Sequence, residues 1–371
     1  KLMNRKILAI NPGSTSTKIA VFKEEEEVYR EGISHSTKEL EKFDKIIDQL
    51  DWRKKLINDH LKNKGFSLEE FTAVVARGGM IAPIPGGSYK IDENLVEDLK
   101  SAKHGEHASN LAGIIARDFA NNFDLKAYTV DPVGVDEFED VARLSGLPEL
   151  PRKCQSHALN LKAVARLSAN KLEKEMKDIN QIGVHLGGGI SIAAMKKGRI
   201  VDVNNANQGG PYSPERVGTL PSLDLVEYIF NEKPEKGQLK KRLVGKGGLA
   251  AYLDTNDGVE IEKRIENGDE KAELAYNGMI YQIAKEIGSM AAALKGDVSA
   301  IFITGGLANS EYIVNKLKER VNFIAKVNVF AGSEEMKHLA KGALRVLNDE
   351  EGALDYDSER KKLKKKIKLK F

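Results

Sequence analysis

Hydrophobic positions near the start of the chain come in short runs cut by polar turns, a pattern of strands rather than of a helix. Residues 7–10 read Ile-Leu-Ala-Ile, the turn Asn-Pro-Gly-Ser-Thr-Ser-Thr-Lys occupies 11–18, and Ile-Ala-Val-Phe follows at 19–22 before the charged stretch 23–27. This predicts strand, tight turn, strand and turn. The same plan returns far downstream. Ile-Gly-Val-His-Leu stands at 182–186, three glycines at 187–189, an apolar run at 190–195, the charged turn Lys-Lys-Gly-Arg at 196–199, and Ile-Val-Asp-Val at 200–203. One supersecondary unit therefore appears twice.

Helical spacing follows each hairpin. Leu40, Phe43, Ile46, Ile47 and Leu50 fall on one helix face after the first, and residues 271–294 read as a long helix after the second. Short β-branched runs at 73–75, 127–130, 300–304 and 327–330 alternate with these helices, which predicts an α/β fold with mixed sheets. The Pro-rich stretch at 146–151 is the natural boundary between the copies. The expected organisation is an N-terminal domain over residues 1–150, a C-terminal domain over 151–344, and a C-terminal helix or tail at 345–371 packing back on the first. Two similar domains facing each other across a cleft is the expected architecture.

Composition narrows the class. With 371 residues, 41% of them hydrophobic, the chain is long enough for two domains with cores, and fibrous and disordered classes are excluded. The net charge is +3, but residues 360–371 carry eight basic residues and no acid, so the rest of the chain is net negative. That argues against a broad nucleic-acid surface. The lysine-rich end reads as a solvated, partly frayed terminus, with peripheral contact to an anionic surface as the alternative. Cys154 is the only cysteine, which excludes an internal disulfide framework or a Cys-rich metal site and fits a reducing compartment. No apolar run approaches the ~18 residues that cross a bilayer. The apolar stretch at the start ends at Asn11-Pro12-Gly13 without a small-residue cleavage site. A cytoplasmic protein with no integral membrane contact is expected.

Three glycine-rich turns are candidates for chemistry. A glycine flanked by Ser and Thr between two strands lets backbone N–H groups and hydroxyls approach a phosphate, and Gly13, Ser14, Thr15, Ser16 and Lys18 make such a turn. Alone, it also reads as an ordinary hairpin turn. In the second copy, His185 precedes Gly187, Gly188 and Gly189, and consecutive glycines weaken a strand unless something must come close to the backbone. Neither is a P-loop or a dinucleotide fingerprint, since strands follow both. The third turn, with Gly305, Gly306, Leu307 and Asn309, lies between an apolar strand and a helical run. It suits a nucleoside base or ribose, or marks a plain helix start.

Together with Ala-Arg-Gly-Gly at 76–79 and Pro-Glu-Arg-Val-Gly-Thr-Leu-Pro at 214–221, these turns resemble the acetate/butyrate kinases, of the superfamily of actin, sugar kinases and chaperone ATPases. Pro-Ile-Pro-Gly-Gly at 83–87, Lys-His-Gly-Glu-His-Ala-Ser-Asn at 103–110, Val-Asp-Pro-Val at 130–133, Asp-Val-Ala-Arg at 140–143 and Asp-Val-Asn-Asn-Ala at 202–206 bring the likeness closest to the butyrate and branched-chain fatty acid kinases. The resemblance runs from about residue 7 to 347 and excludes the basic tail.

The resemblance implies two duplicated actin-like, ribonuclease H-like ATPase domains that close over Mg-ATP and a short-chain carboxylate, giving an acyl phosphate and ADP, reversibly. Such a site needs cations, a metal and oriented donors more than a base, because the attacking carboxylate is already ionised at neutral pH. It implies Arg77 near the acceptor carboxylate and the phosphoryl group, Arg216 on the phosphoryl group, Asn11 near phosphoryl and metal, and His157 as a hydrogen-bond donor to the phosphoryl group. The three turns would hold the nucleotide and its phosphates. Asp131 and Glu335, or its neighbour Glu334, would face Mg²⁺. Met80 and Ile84, with Ile81 and Pro83, are acyl-pocket candidates. His104 and His107 are a weak metal pair, better read as residues at a helix start. Gln155-Ser156 and Val217 depart from the subgroup pattern, which touches the packing of His157 and Arg216. A homo-oligomer is implied. The rival readings are an acetate or propionate kinase and a non-enzymatic nucleotide switch.

Overall fold

The computed structural model describes residues 4–368. It divides into two compact units, one running to Asp136 and resuming at Glu334, the other spanning Glu137–Ser333. The break falls ahead of the Pro-rich stretch at 146–151. Glu137 already belongs to the second unit because its carboxylate accepts from Lys162 Nζ at 2.9 Å and from the amide of Ile200 at 2.8 Å. The first unit also takes the helix Glu335–Leu347, which begins ahead of the expected boundary.

In the first unit the strands are β1 Lys6–Pro12, β2 Ser16–Lys23, β3 Glu26–Ser34, β4 Ala73–Ala76, β5 Ser88–Lys90 and β6 Lys126–Val130. They form one sheet in the order β3-β2-β1-β4-β6-β5. The hairpin pairs are antiparallel, whereas β1, β4 and β6 run parallel. The second unit contributes β7 Asn180–Leu186, β8 Ile190–Lys196, β9 Arg199–Val203, β10 Ala300–Gly305 and β11 Val327–Ala331, in the order β11-β10-β7-β8-β9. Its hairpin strands are antiparallel and β7, β10 and β11 parallel, so the duplication read from the two hairpins extends to five strands of each sheet.

Parallel strands covered on both faces require continuous apolar runs, and β1, β4, β7 and β10 are almost wholly buried. Each sheet has its own core. Helix and strand approach closely at Gly183, where a Cβ would lie 2.5 Å from Phe302 of β10 and 2.9 Å from Leu161 of the helix Ala158–Lys171, so glycine there lets them meet. Gly78, in the Ala-Arg-Gly-Gly motif, is fixed likewise, with Pro132 occupying the space of a side chain.

Two expectations are corrected. The face drawn through residues 40–50 is not one helix: Thr37–Leu40 is a single turn, Ile46–Gln49 is a 3₁₀ turn, and the long helix is Leu50–Asn63. The break is held by Asp48 accepting from the Lys45 amide and Glu106 accepting from the Ile46 amide, both at 3.0 Å. The lysine-rich end is not frayed where it is described. It forms the helix Tyr356–Lys368, anchored by the buried Tyr356 and by Arg360, both of which donate to the buried Asp98. Residues 369–371 of that expected tail lie outside the described residues. Among the described residues no helix is long and apolar enough to cross a membrane.

Candidate active site

Ligands in sheets of this kind gather at the carboxyl ends of parallel strands. In the first unit Asn11, Arg77 and Asp131 stand at the ends of β1, β4 and β6, whose register aligns Ile10 with Ala76 and Ala76 with Thr129. Glu335, at the start of the helix Glu335–Leu347, closes the group. Its Oε2 accepts from Asn11 Nδ2 at 3.1 Å and its Oε1 forms an ion pair with Arg77. Three residues from distant parts of the sequence therefore converge. Glu334, the alternative to Glu335, instead forms a long 3.7 Å contact with Lys337. Asp131 is buried at φ +41°, and its Oδ1 accepts from the Gly87 amide at 2.7 Å, so part of its carboxylate closes the turn before β5.

Of the acyl-pocket candidates, Met80 is half-buried, and its amide donates to Asn110 Oδ1 at 2.8 Å. Asn110 also donates to the Gly105 carbonyl at 2.9 Å, so one buried amide ties the Arg77 loop to the loop at 103–109. Ile81 and Ile84 belong to the core, whereas Pro83 is exposed. His107 turns to Ser109, with its Nδ1 2.7 Å from the hydroxyl. Desolvation, and after it the Arg77 charge, holds its imidazole below the ordinary value. His104 faces Asp98 at 3.3 Å.

The first glycine turn spans the gap between β1 and β2. The Gly13 amide donates to the Ser16 carbonyl at 2.7 Å, Ser14 and Thr15 are exposed, and Lys18 pairs with Asn11 across the hairpin.

In the second unit the turn Gly187–Gly189 joins β7 to β8, and its lack of side chains is used. A Cβ at Gly189 would fall 2.6 Å from Arg216 Cζ, so the guanidinium lies directly on the turn. Ser213 fixes the loop there: its hydroxyl donates to the Gly188 carbonyl at 2.6 Å and accepts from the Arg216 amide at 3.1 Å. Arg216 Nε is buried and has no hydrogen-bond partner among the described residues. Desolvation lowers the Arg216 pKa, only partly offset by Glu215. A desolvated guanidinium with an open donor is a seat for an anion.

His157 caps the helix Ala158–Lys171 and stacks on His185, with ring centroids 3.9 Å apart and planes 15° from parallel. Its Nδ1 lies 2.8 Å from the buried Ser191 hydroxyl. Asn160 Nδ2 sits 2.8 Å from His185 Nδ1 and donates to Thr304 Oγ1 at 3.2 Å, so both rings are braced from β8, β10 and the helix. Asn204, from the Asp-Val-Asn-Asn-Ala motif, secures the start of β8 by accepting from the Ile192 amide at 2.7 Å and donating to the Ile190 carbonyl at 2.9 Å. The third turn begins at Gly305, whose φ of +93° puts it 2.9 Å from the Gly332 carbonyl. Gly306 is open above it, and Asn309 turns back to the Gly306 carbonyl at 3.0 Å.

Sequence reasoning missed the braces Ser191, Asn160, Thr304 and Ser213, and it missed Arg53. This arginine is fully buried and its Nη1 donates to the Gly13 carbonyl at 2.7 Å. A readable signal existed, since Arg53 shares the apolar face of its helix with Ile57 and Leu61.

Among known proteins, a family model described as the acetokinase family matches residues 150–344. A protein named probable butyrate kinase 2 from Caldanaerobacter subterraneus subsp. tengcongensis is 51% identical over 346 residues, 93% of this chain and 98% of that protein. Butyrate kinase 2 of Clostridium acetobutylicum is 49% identical over 355 residues, 95% of this chain and 100% of that protein. Of solved structures, an acetate kinase from Porphyromonas gingivalis matches with a TM-score of 0.76 at 20% identity, covering 92% of this chain and 100% of that one. An acetate kinase from Entamoeba histolytica matches with 0.73 at 20% identity over 91% and 99%. These likenesses show the fold, which is that of the acetate kinases.

Proposed function

The chain belongs to the acetokinase family, and from that premise we propose that it is a butyrate kinase, moving the γ-phosphoryl group of Mg-ATP to a short-chain carboxylate. One oxygen of the carboxylate attacks the γ-phosphorus, the bond to the β-phosphate oxygen breaks, and acyl phosphate and ADP leave. No proton need be removed from the acceptor. In this reading Arg77 receives the acceptor carboxylate and the transferring group, and Asn11 donates to a phosphoryl oxygen. Arg216 and His157 neutralise and hydrogen-bond the charge spread over the equatorial oxygens. The first glycine turn and the turn at 187–189 take phosphates, and Gly305, Gly306, Leu307 and Asn309 take the nucleoside. Met80 borders the acyl chain. The observation that carries the reading is the Arg216 guanidinium laid on Gly189 with Nε unpartnered among the described residues.

Mg²⁺ fits the donors present. The carboxylates of Glu335 and Asp131 are hard oxygen donors of the kind this ion takes, one or two of them beside waters and phosphate oxygens. Glu335 and Asp131 are the residues assigned to it, and when bound the ion supplies charge neutralisation for the phosphates. A homo-oligomer is part of the proposal, supported by the helix Ser222–Glu232, which leaves Leu223 80% and Phe230 71% exposed. The single half-buried Cys154 supports a cytoplasmic setting.

The test is hydroxamate trapping of acyl phosphate with Mg-ATP and each of acetate, propionate, butyrate and isobutyrate, for the native protein and Arg216→Ala. Product is expected with the C4 acids and lost in the variant. Product from acetate in preference would move the reading to an acetate kinase, and none from any acid would end it.

A further inference from the structure

Arg53 is a full guanidinium in the core of the first unit, at 0% exposure. All five of its donor contacts go to neutral oxygens. Nε and Nη2 donate to Gln49 Oε1 at 3.0 and 2.8 Å, and Nη1 donates to the Gly13 carbonyl at 2.7 Å, the Ser16 carbonyl at 3.1 Å and Thr17 Oγ1 at 3.2 Å. A buried charge without a carboxylate is expensive. Burial pushes the Arg53 pKa down, to about 10, which leaves it protonated at neutral pH. The neighbouring titratable group is His35, whose Nε2 is 2.8 Å from Thr17 Oγ1. Burial first and the Arg53 charge second hold that imidazole below its ordinary value, with the Glu39 charge acting the other way.

The contacts are placed where they orient the first glycine turn. Arg53 draws the carbonyls at both ends of the turn, Gly13 and Ser16, into the protein, while the His35 amide takes the Thr15 carbonyl at 2.8 Å. With three carbonyls committed inward, the outward side of the turn is left to the exposed Ser14 and Thr15 and to the cation Lys18. A turn whose oxygens point down, over a positive charge, is a cradle for an anion.

We propose that Arg53 is a positioning residue for the polyphosphate of the nucleotide, orienting the turn at 13–16 and lending it an uncompensated buried charge from beneath. The proposal rests on the reading of that turn as phosphate-binding. Arg53 touches no substrate, and its effect on polyphosphate passes through the turn and through the field of its charge. A buried unit charge acting across the turn at an effective dielectric near 20 is worth roughly a ten-fold change in anion affinity.

The experiment compares the native protein with Arg53→Met and Arg53→Lys. It measures calorimetric binding of inorganic tripolyphosphate, steady-state KM for Mg-ATP and for butyrate, and the melting temperature. Arg53→Met should raise the tripolyphosphate Kd and the Mg-ATP KM about ten-fold with the butyrate KM little changed. Arg53→Lys restores the charge and a donor group for the two carbonyls that Nη1 holds, losing the fork on Gln49, so it should recover most of the tripolyphosphate affinity and bring the Mg-ATP KM to within a few-fold of native. A folded Arg53→Met with native Mg-ATP KM overturns the proposal. If Arg53→Met does not fold, Arg53→Gln, which keeps an amide donor for the carbonyls and removes the charge, decides: native tripolyphosphate Kd and Mg-ATP KM overturn it. The pair Ser14→Ala with Thr15→Ala separates the premise. If that variant binds tripolyphosphate like the native protein, the phosphate reading of the turn has failed. If it binds weakly while Arg53→Met binds normally, only the role of Arg53 has failed.

Discussion

Gly189→Ala places one methyl group against the guanidinium of Arg216 and changes nothing else in that turn. The added Cβ would lie against Arg216 Nη1 and 2.6 Å from its Cζ, closer than real Cβ atoms approach. One of the two must move. Gly189 has no positive φ, so alanine fits its backbone. The Arg216 backbone is tied down through Ser213. What gives way is the far end of the arginine side chain. The stability cost is then small, within about 1 kcal/mol, since alanine at a compatible glycine position itself restricts the unfolded chain by a comparable amount. The catalytic cost is large: losing one pre-oriented donor at developing charge is worth about 10²–10³ in kcat, or ~3–4 kcal/mol. Initial rates of hydroxamate formation over a range of butyrate and Mg-ATP concentrations measure kcat and both KM values, and a thermal melt checks the fold. The double variant Gly189→Ala with Arg216→Ala should be no slower than Arg216→Ala alone, because the arginine has already left its place. A kcat within a few-fold of native in the single variant, or additive losses in the double, would refute the assignment of Arg216 to the spot it occupies.

Two further outcomes are expected. His338 is buried and burial pushes its pKa down, to about 4, from an ordinary 6.5, with Glu334 acting the other way. The unfolded chain therefore takes up a proton first, so the stability that depends on a neutral His338 is complete above about pH 6.5 and is lost as pH falls toward 4. The loss at pH 5 is about 2 kcal/mol. Urea midpoints at pH 7.5 and 5.0 should show it in the native protein and a smaller loss in His338→Gln; equal losses would disprove it. Tyr356→Phe removes the acceptor of the Ala82 amide, at 2.9 Å, and a donor to Asp98, at 2.8 Å, which should cost about 1–3 kcal/mol and raise the butyrate KM more than that for Mg-ATP. An unchanged butyrate KM in the folded variant would show that the loop carrying Met80 does not depend on the C-terminal helix.

The strands were readable because their runs are apolar and their turns carry glycine, and duplicated hairpins at residues 7–22 and 182–203 revealed the repeat. Asn11, Arg77 and Glu335 could be selected only through the resemblance, since nothing local in sequence joins position 335 to position 11. Their meeting is a product of strand order, which places β4 beside β1 and brings a late helix onto both. The helix drawn through residues 40–50 failed because side-chain caps at Lys45 and Ile46, one of them from distant Glu106, outweigh apolar spacing. Arg53 went unseen as a charged residue on an apolar face, where periodicity counts it as a mismatch. Gly78 was legible as part of a motif, but its reason, the Pro132 ring against it, is tertiary.

The division of the chain also dictates an order of assembly during synthesis. The second unit is continuous, with its sheet and helices all drawn from residues 137–333. The first is interrupted, and the helix Glu335–Leu347 that packs on β1, β4 and β6 is made only after the second unit is complete. Until then Met336, Leu339, Ala343 and Leu344 are missing from the first sheet, and Asn11 and Arg77 lack the carboxylate they share. A chain ending at Ser333 would thus hold every element of the second unit and an unsealed first one, so the newborn protein brings Asn11, Arg77 and Glu335 together as one of its last acts of folding.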